Sequence, residues 1–319
     1  MKRLLLLGLL TAASIIAQPA AIEIHLIGTG GPELSAARRG PATLVSIGSN
    51  QFLFDAGRGV LDGLFASGLA PQNVTKIFLT HLHNDHIEGL PTLWITPWFL
   101  LGRQQPLEVW GPAGTRAMID GMRRMFAHDL DRRSNAKLRR AYLDIRVHEI
   151  AKGEVYRDGS TVIRAYTAEH ADGNPALSYR VESGGHAVLL TGDTTLTDTL
   201  QAASEGTDVI VANIAAGTPA IEASGSITPI LAKLLRPEQA ARLFTQAKPK
   251  LAVFSHIVKK GLPGSSGDEA ILARVRSAGY TGPLVMGADR MRIRVGAEVQ
   301  WTPPAAPPSE DLDGVGIVF

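Results

Sequence analysis

The sequence predicts an α/β sandwich. Short apolar runs at strand period alternate with stretches at helical spacing, and they do so in two successive blocks. A third observation points to a site within that fold. Residues of metal-ligating type stand at the ends of the apolar runs, where α/β sheets usually place their chemistry.

The first block opens with Ile22-Glu23-Ile24-His25-Leu26-Ile27, which alternates as a strand does and runs into the glycine cluster at 28–31. This cluster is a strand-to-loop turn. It is not a dinucleotide fingerprint, because Glu33 stands where the third glycine would fall. Apolar runs at 42–47 and 51–54, separated by Gly48-Ser49-Asn50, read as a hairpin. A helix follows over 60–67, then a buried strand over 76–80. In the middle section Trp94, Trp98 and Phe99 sit at helical spacing, 107–110 reads as a strand and 116–128 as a helix. The second block holds strands at 161–167, 176–182, 187–190, 209–212 and 251–254, with helices at 236–247 and 268–278.

Three segments are expected: a secretory leader over 1–21, one catalytic domain over 22–302, and a Pro/Ala-rich acidic tail over 303–319. In the leader, Lys2 and Arg3 precede a fourteen-residue apolar run, 4–17, and small residues end it. That run is short of the roughly 20 residues a membrane span needs. The expected location is therefore periplasmic or secreted, with no membrane anchor once the leader is cleaved. Removing the leader takes the formal charge from +2 to zero. On that bulk charge, nucleic acid is set aside as a partner. There is no cysteine, which excludes disulfides, a thiolate nucleophile and thiolate-bound zinc. Any metal must be held by His, Asp or Glu.

Thr80-His81-Leu82-His83-Asn84-Asp85-His86 places four ligand-type residues within six positions, directly after an apolar strand. Imidazole and carboxylate are the ligands zinc accepts when no thiolate is present. Three more candidates follow strands in the second block: His170, Asp193 in Thr191-Gly192-Asp193-Thr194, and His256 in Phe254-Ser255-His256-Ile257. His25, His128, His148 and His186 complete the histidines and are read as structural or solvated.

H-x-H-x-D-H, a later His, Gly-Asp-Thr and a final Ser-His together resemble the five-motif pattern of the metallo-β-lactamase superfamily. The resemblance covers about residues 22–300. It implies a four-layer αββα sandwich holding two zinc ions, with manganese and iron as alternatives. It further implies one ion on His81, His83 and His170, a second on Asp85, His86 and His256, and Asp193 bridging both. Asp55 matches an aspartate that supports the histidine loop from behind. The implied chemistry is hydrolysis of an ester by a water made acidic between the ions, with Asp85 taking its proton. Lys76 to Thr80, Pro106 to Pro112 and Tyr179 to Glu182 are similar to the branch of ribonuclease Z and the zinc arylsulfatases. Asp55-Ala56-Gly57-Arg58-Gly59 is nearer the arylsulfatase style. One departure counts against a tRNA-processing role: Ala212-Asn213 stands where ribonuclease Z-type members carry His-Glu.

The expected function is an exported hydrolase of a small-molecule sulfate, phosphate or carboxylic ester. A homodimer is left open. A ribonuclease Z-like nuclease or a β-lactamase on the same site is the alternative, and a non-catalytic metal-binding protein is the alternative of another class. Trp94 and Trp98 carry two readings, an apolar lid over the substrate and ordinary core packing. The basic run Arg132, Arg133, Lys137, Arg139 and Arg140 is read as a solvated helix face. Lys259, with Lys260, is better placed to meet a substrate anion.

Overall fold

The computed structural model describes residues 21–304. All but the inner ends of the expected leader and tail lie outside them. From the N-terminus the chain builds β1 (Ile22–Gly28), β2 (Ala42–Ile47), β3 (Asn50–Phe54), β4 (Lys76–Phe78), β5 (Leu107–Gly111) and β6 (Ile145–Glu149). It crosses to a second sheet of β7 (Gly153–Asp158), β8 (Thr161–Ala168), β9 (Ala176–Ser183), β10 (His186–Leu190), β11 (Val209–Gly217), β12 (Leu251–Lys260) and β13 (Leu284–Met286). It then returns to add β14 (Arg292–Val295) and β15 (Val299–Thr302) to the first sheet. The strand orders are β15-β14-β1-β2-β3-β4-β5-β6 and β13-β12-β11-β10-β9-β8-β7.

The two sheets face each other over one apolar core. Ile22, Ile24, Val45, Phe52 and Phe78 meet Ile163, Tyr179, Val181 and Val209 there. Phe78 stacks on Trp110 at 4.6 Å and on Phe54 at 5.1 Å. On the outer face of the first sheet lie α1 (Val60–Ala66), α2 (Asn84–Ile87), α3 (Leu90–Leu100) and α4 (Thr115–Arg133). The second sheet is flanked by α5 (Asp198–Ser204), α6 (Pro219–Ala223), α7 (Thr228–Leu231), α8 (Pro237–Ala247) and α9 (Gly264–Ser277). This is the expected αββα sandwich. Among the described residues no helix is long and apolar enough to cross a membrane.

Local sequence accounts for the helices that pack the outer layers. In α8, Pro237 stands in the first turn and the Gln239 side chain accepts the Arg236 N–H at 3.0 Å. Pro237, Ala240, Ala241 and Phe244 then recur three and four apart and are buried. In α5 the hydroxyl of Thr197 accepts the Leu200 N–H at 3.1 Å and caps the helix.

Strands β3 to β6 run parallel, as do β10 to β13. Their C-terminal ends, and the loops that follow them, therefore collect at one edge of the sandwich. Three cross-links join the halves there. The loop after β1 bridges to β12 at Gly30 and Ile257, Leu177 N donates to Thr80 O at 2.8 Å, and the Tyr179 hydroxyl donates to Leu79 O at 2.8 Å.

His25 is buried on β1, and its Nδ1 has no hydrogen-bond partner among the described residues. Burial, aided by the charge of Arg292, pushes its imidazole down to about 4. The folded protein thus holds His25 neutral, while the unfolded chain protonates it near 6.5. Its contribution is present above that pH and is lost as the pH falls toward 4. Between pH 7 and 5 the wild type should lose about 2 kcal/mol more than His25→Gln in denaturant titrations. Parallel losses would show that His25 takes up its proton within the fold.

Candidate metal centre

The metal loop is set from behind by Asp55. This residue ends β3 with a left-handed backbone, φ 60°. Its Oδ1 accepts the Thr80 N–H at 2.8 Å, and its Oδ2 accepts from His86 Nδ1 at 2.9 Å. A carboxylate only accepts, so His86 carries its proton on Nδ1 and turns Nε2 toward the site. The Thr80 hydroxyl donates to Asp55 at 2.9 Å and lies 3.0 Å from His81 Nδ1, which fixes that ring in the same way. His170 Nδ1 donates to the carbonyl of Lys233 at 2.9 Å, leaving its Nε2 inward. Such outer partners fix the tautomer of a ligating ring.

The inward atoms gather in three overlapping groups: His81, His83 and His170; His81, His86 and Asp193; and Asp85, His86 and His256. Within each group the ligand atoms lie within 4.8 Å of one another. His170 Nε2 is 3.3 Å from His83 Nδ1, and His256 Nε2 is 3.3 Å from Asp85 Oδ2. Asp193 Oδ2 joins the groups, at 3.1 Å from His256 Nε2, 3.6 Å from His86 Nε2 and 3.6 Å from His170 Nε2.

Four observations fit this donor set to divalent cations. His81 Nε2, His86 Nε2 and Asp193 Oδ1 are buried with no hydrogen-bond partner among the described residues. Buried polar atoms are rarely left so. Burial, with His86 beside it, holds the His81 imidazole well below its ordinary range, in the neutral form a metal needs. Burial opposes charge on Asp193, but His256 and His86 outweigh it and hold the carboxyl well below the usual range. The rings also crowd Gly173, where a Cβ would come within 2.1 Å of His170 Cδ2 and 2.9 Å of His83 Cε1.

His256 joins the cluster as expected, but from within a strand and not after one. The expected strand ends at Phe254, but β12 continues to Lys260. The β11–β12 register shifts between Ala212 and Ile214, so Ser255 and His256 face the single residue Asn213. This is a bulge, and His256 takes φ 44° there to turn its ring into the site.

Asn213 has its own role at this point. It is buried, its Nδ2 donates to Gly192 O at 2.8 Å and Thr194 O at 3.1 Å, and its Oδ1 accepts the Leu235 N–H at 2.8 Å. It braces the loop on either side of Asp193. The substitution pattern Ala212-Asn213 signals that role only once the loop is seen beside it.

Of the two readings given to Trp94 and Trp98 the structure favours core packing, and it ties up the cation expected at Lys259. Trp94 and Trp98 are buried among the residues packing α3 on the first sheet, with their indole N–H groups on Leu143 O and Arg139 O. They are core residues. Lys259 Nζ is held by Asp268 at 2.6 Å and Gly264 O at 2.7 Å, and Lys260 pairs with Glu33. Both lysines are thus tied to partners within the chain, Lys259 on a carboxylate that Arg38 also holds at 3.0 Å. The basic run is not one helix face either. Helix α4 ends at Arg133, and Lys137, Arg139 and Arg140 lie in and beyond the loop that follows.

An αββα sandwich with two linked His/Asp clusters at its strand ends defines a metal-dependent hydrolase. The profile of the Beta-lactamase superfamily domain matches residues 50–257. Ribonuclease Z of Mycobacterium sp. (strain KMS) is 32% identical over 278 residues, covering 86% of this chain and 96% of that protein. Ribonuclease Z of Mycobacterium bovis (strain BCG / Pasteur 1173P2) is 38% identical over 195 residues, 60% of this chain and 69% of the relative. Among solved structures, the short form of human tRNase Z superposes with a TM-score of 0.63 at 22% identity, over 85% of this chain and 98% of that one. The metallo-beta-lactamase fold protein YhfI from Bacillus subtilis gives 0.66 at 16%, over 86% and 100%. The chain belongs to the metallo-β-lactamase superfamily, in its ribonuclease Z branch.

The two mycobacterial relatives are ribonucleases, and they overturn the expectation of a small-molecule ester with nucleic acid set aside. The charge argument fails because a bulk sum averages over the surface. Residues 115–148 carry nine Lys and Arg against four Asp, a local +5 in a leaderless chain of zero net charge.

Proposed function

We propose that this protein is a two-metal phosphodiesterase that cleaves RNA. The observation that carries the reading is Asp193, whose Oδ2 stands between the two histidine clusters of a chain related over most of its length to ribonuclease Z. His81, His83 and His170 would hold one zinc ion and Asp85, His86 and His256 the other, with Asp193 shared. When bound, such ions make a water acidic near neutral pH and stabilise charge on phosphoryl oxygens. The chain's own contribution is orientation. Asp55, Thr80 and the Lys233 carbonyl set the rings, Asn213 holds the Asp193 loop, and the role we assign to Asp85 is to take a proton from the attacking water.

The basic segment supports a polyanionic substrate. Helix α4 starts beside the metal loop, where a Cβ on Gly114 would lie 3.2 Å from Leu82, and runs away for about 28 Å at 1.5 Å per residue. Arg124 and Arg132 on it are exposed, and their side chains have no hydrogen bond or ion pair among the described residues.

The proposal keeps the export expected from residues 1–21, which cell fractionation tests. The function itself is tested by incubating the zinc-loaded protein with a 3′-extended tRNA and an unstructured RNA. Cleavage of either, lost on chelation, supports the reading; two bound zinc ions with both RNAs intact would sink it. Arg124→Glu with Arg132→Glu should weaken RNA binding several-fold. The double change should also flatten log K against log salt by about 1.4 for two contacts on single strands, with kcat unchanged. Unaltered binding would place the RNA elsewhere.

A further inference from the structure

A second site lies beneath α3, away from the metal centre. Gly102 ends that helix in a left-handed turn, φ 69°, and folds Arg103 back under it. The Arg103 N–H donates to Pro97 O at 3.0 Å and its Nη2 to Trp94 O at 2.5 Å. The side chain is 3% exposed, yet Nε and Nη1 have no hydrogen-bond partner among the described residues. Burial lowers its basicity to about 10, so it stays charged at neutral pH.

Arg103 lines a cavity of about 60 Å³ with Trp98, Phe99, Gln104, Lys137 and Tyr142. One water needs only about 10–15 Å³. No acidic side chain is among these lining residues. The rim adds the positive charge of Arg139, which lies over Tyr142 at 5.5 Å, while Arg133 lies over Phe99 at 4.1 Å. The nearby carboxylate, Asp129, is engaged by Arg133 at 2.8 Å. A buried cation with two unused donors and no counter-charge among the described residues is costly unless an anion joins it.

We propose that this cavity is a binding site for a small oxyanion, a phosphate or carboxylate group received by the Arg103 fork. A guanidinium presents parallel N–H donors matched to such groups, and the rings of Trp98, Phe99 and Tyr142 give the pair an apolar surrounding. Two sources carry that chemistry: free phosphate, and the carboxylates of Glu310, Asp311 and Asp313 in this chain's own acidic stretch. The site shares no residue with the metal centre; Arg133, Lys137 and Arg139 belong to the basic segment of the RNA reading, so the test is made without RNA.

The test is thermal unfolding of the full chain against inorganic phosphate, at constant ionic strength with chloride as the control. Wild type, Arg103→Met, and a Glu310→Gln/Asp311→Asn/Asp313→Asn triple variant are compared. Phosphate at about ten times its Kd should raise Tm by roughly 3–6 °C where the cavity is open to it. Equal responses in wild type and triple variant identify free phosphate as the occupant. A response confined to the triple variant, which would also start at a lower Tm, identifies the chain's own carboxylates. Arg103→Met removes the response in either case, whereas phosphate bound at the metal centre would persist in it. If Arg103→Met does not fold, Arg103→Lys should fold with a weakened response. No response in either wild type or triple variant, or an undiminished one in both Arg103 variants, overturns the proposal.

Discussion

Asp193→Ala should bind fewer than two metal ions per chain and lose turnover on RNA by about 10³-fold or more. That estimate exceeds the 10–100-fold carried by outer partners of a metal ligand. The physical reason is that one carboxylate oxygen serves both clusters. Asp193 Oδ2 lies within 3.6 Å of inward nitrogens from His86, His170 and His256, which come from different parts of the chain. Removing it separates the clusters and leaves those rings facing one another without a shared anion. Metal content by mass spectrometry is read beside activity, with Tm showing that the fold survives. A variant that keeps two ions and wild-type turnover would show that Asp193 does not link the centre.

Asp55→Asn should weaken metal affinity by about 10–100-fold while leaving the ligands in place. The carboxylate does two things that an amide cannot do together. It accepts the Thr80 N–H at 2.8 Å, and through its other oxygen it accepts from His86 Nδ1 at 2.9 Å. An asparagine oriented to keep the first bond presents an NH₂ group to the second, so His86 must change tautomer or turn. The loss should fall on the cluster of Asp85, His86 and His256, so that competition with a chelator releases one ion early and the other near its wild-type position. Simultaneous, unchanged release of both ions would mean that Asp55 only braces the loop.

The fold was largely legible because its signals are local. Alternation at 22–27, the apolar run before Thr80 and the capped, periodic stretch at 237–247 each follow from residues a few positions apart. Lengths were less legible. Strands β11 and β12 run on to Gly217 and Lys260, well past the apolar runs at 209–212 and 251–254. They continue because each supplies the other's hydrogen bonds beyond the bulge, from Ile214 opposite Ile257 to Gly217 opposite Lys260.

By itself the sequence determined which residue types stand at the strand ends, and so the chemistry that a site there could hold. His81, His83, Asp85, His86, His170, Asp193 and His256 all come from positions that local pattern marks. Tertiary structure decided what surrounds them. It put the Lys233 carbonyl behind His170, Asn213 across the Asp193 loop, Asp268 on Lys259, and Trp94 and Trp98 into the core. It also left Arg103 buried with two donors unmatched. Whether a carbonyl, carboxylate or ring meets a given side chain depends on sheet pairings between distant segments. Those contacts lie 63 residues apart for His170 and Lys233 and 171 for His256 and Asp85, far beyond the reach of any local period.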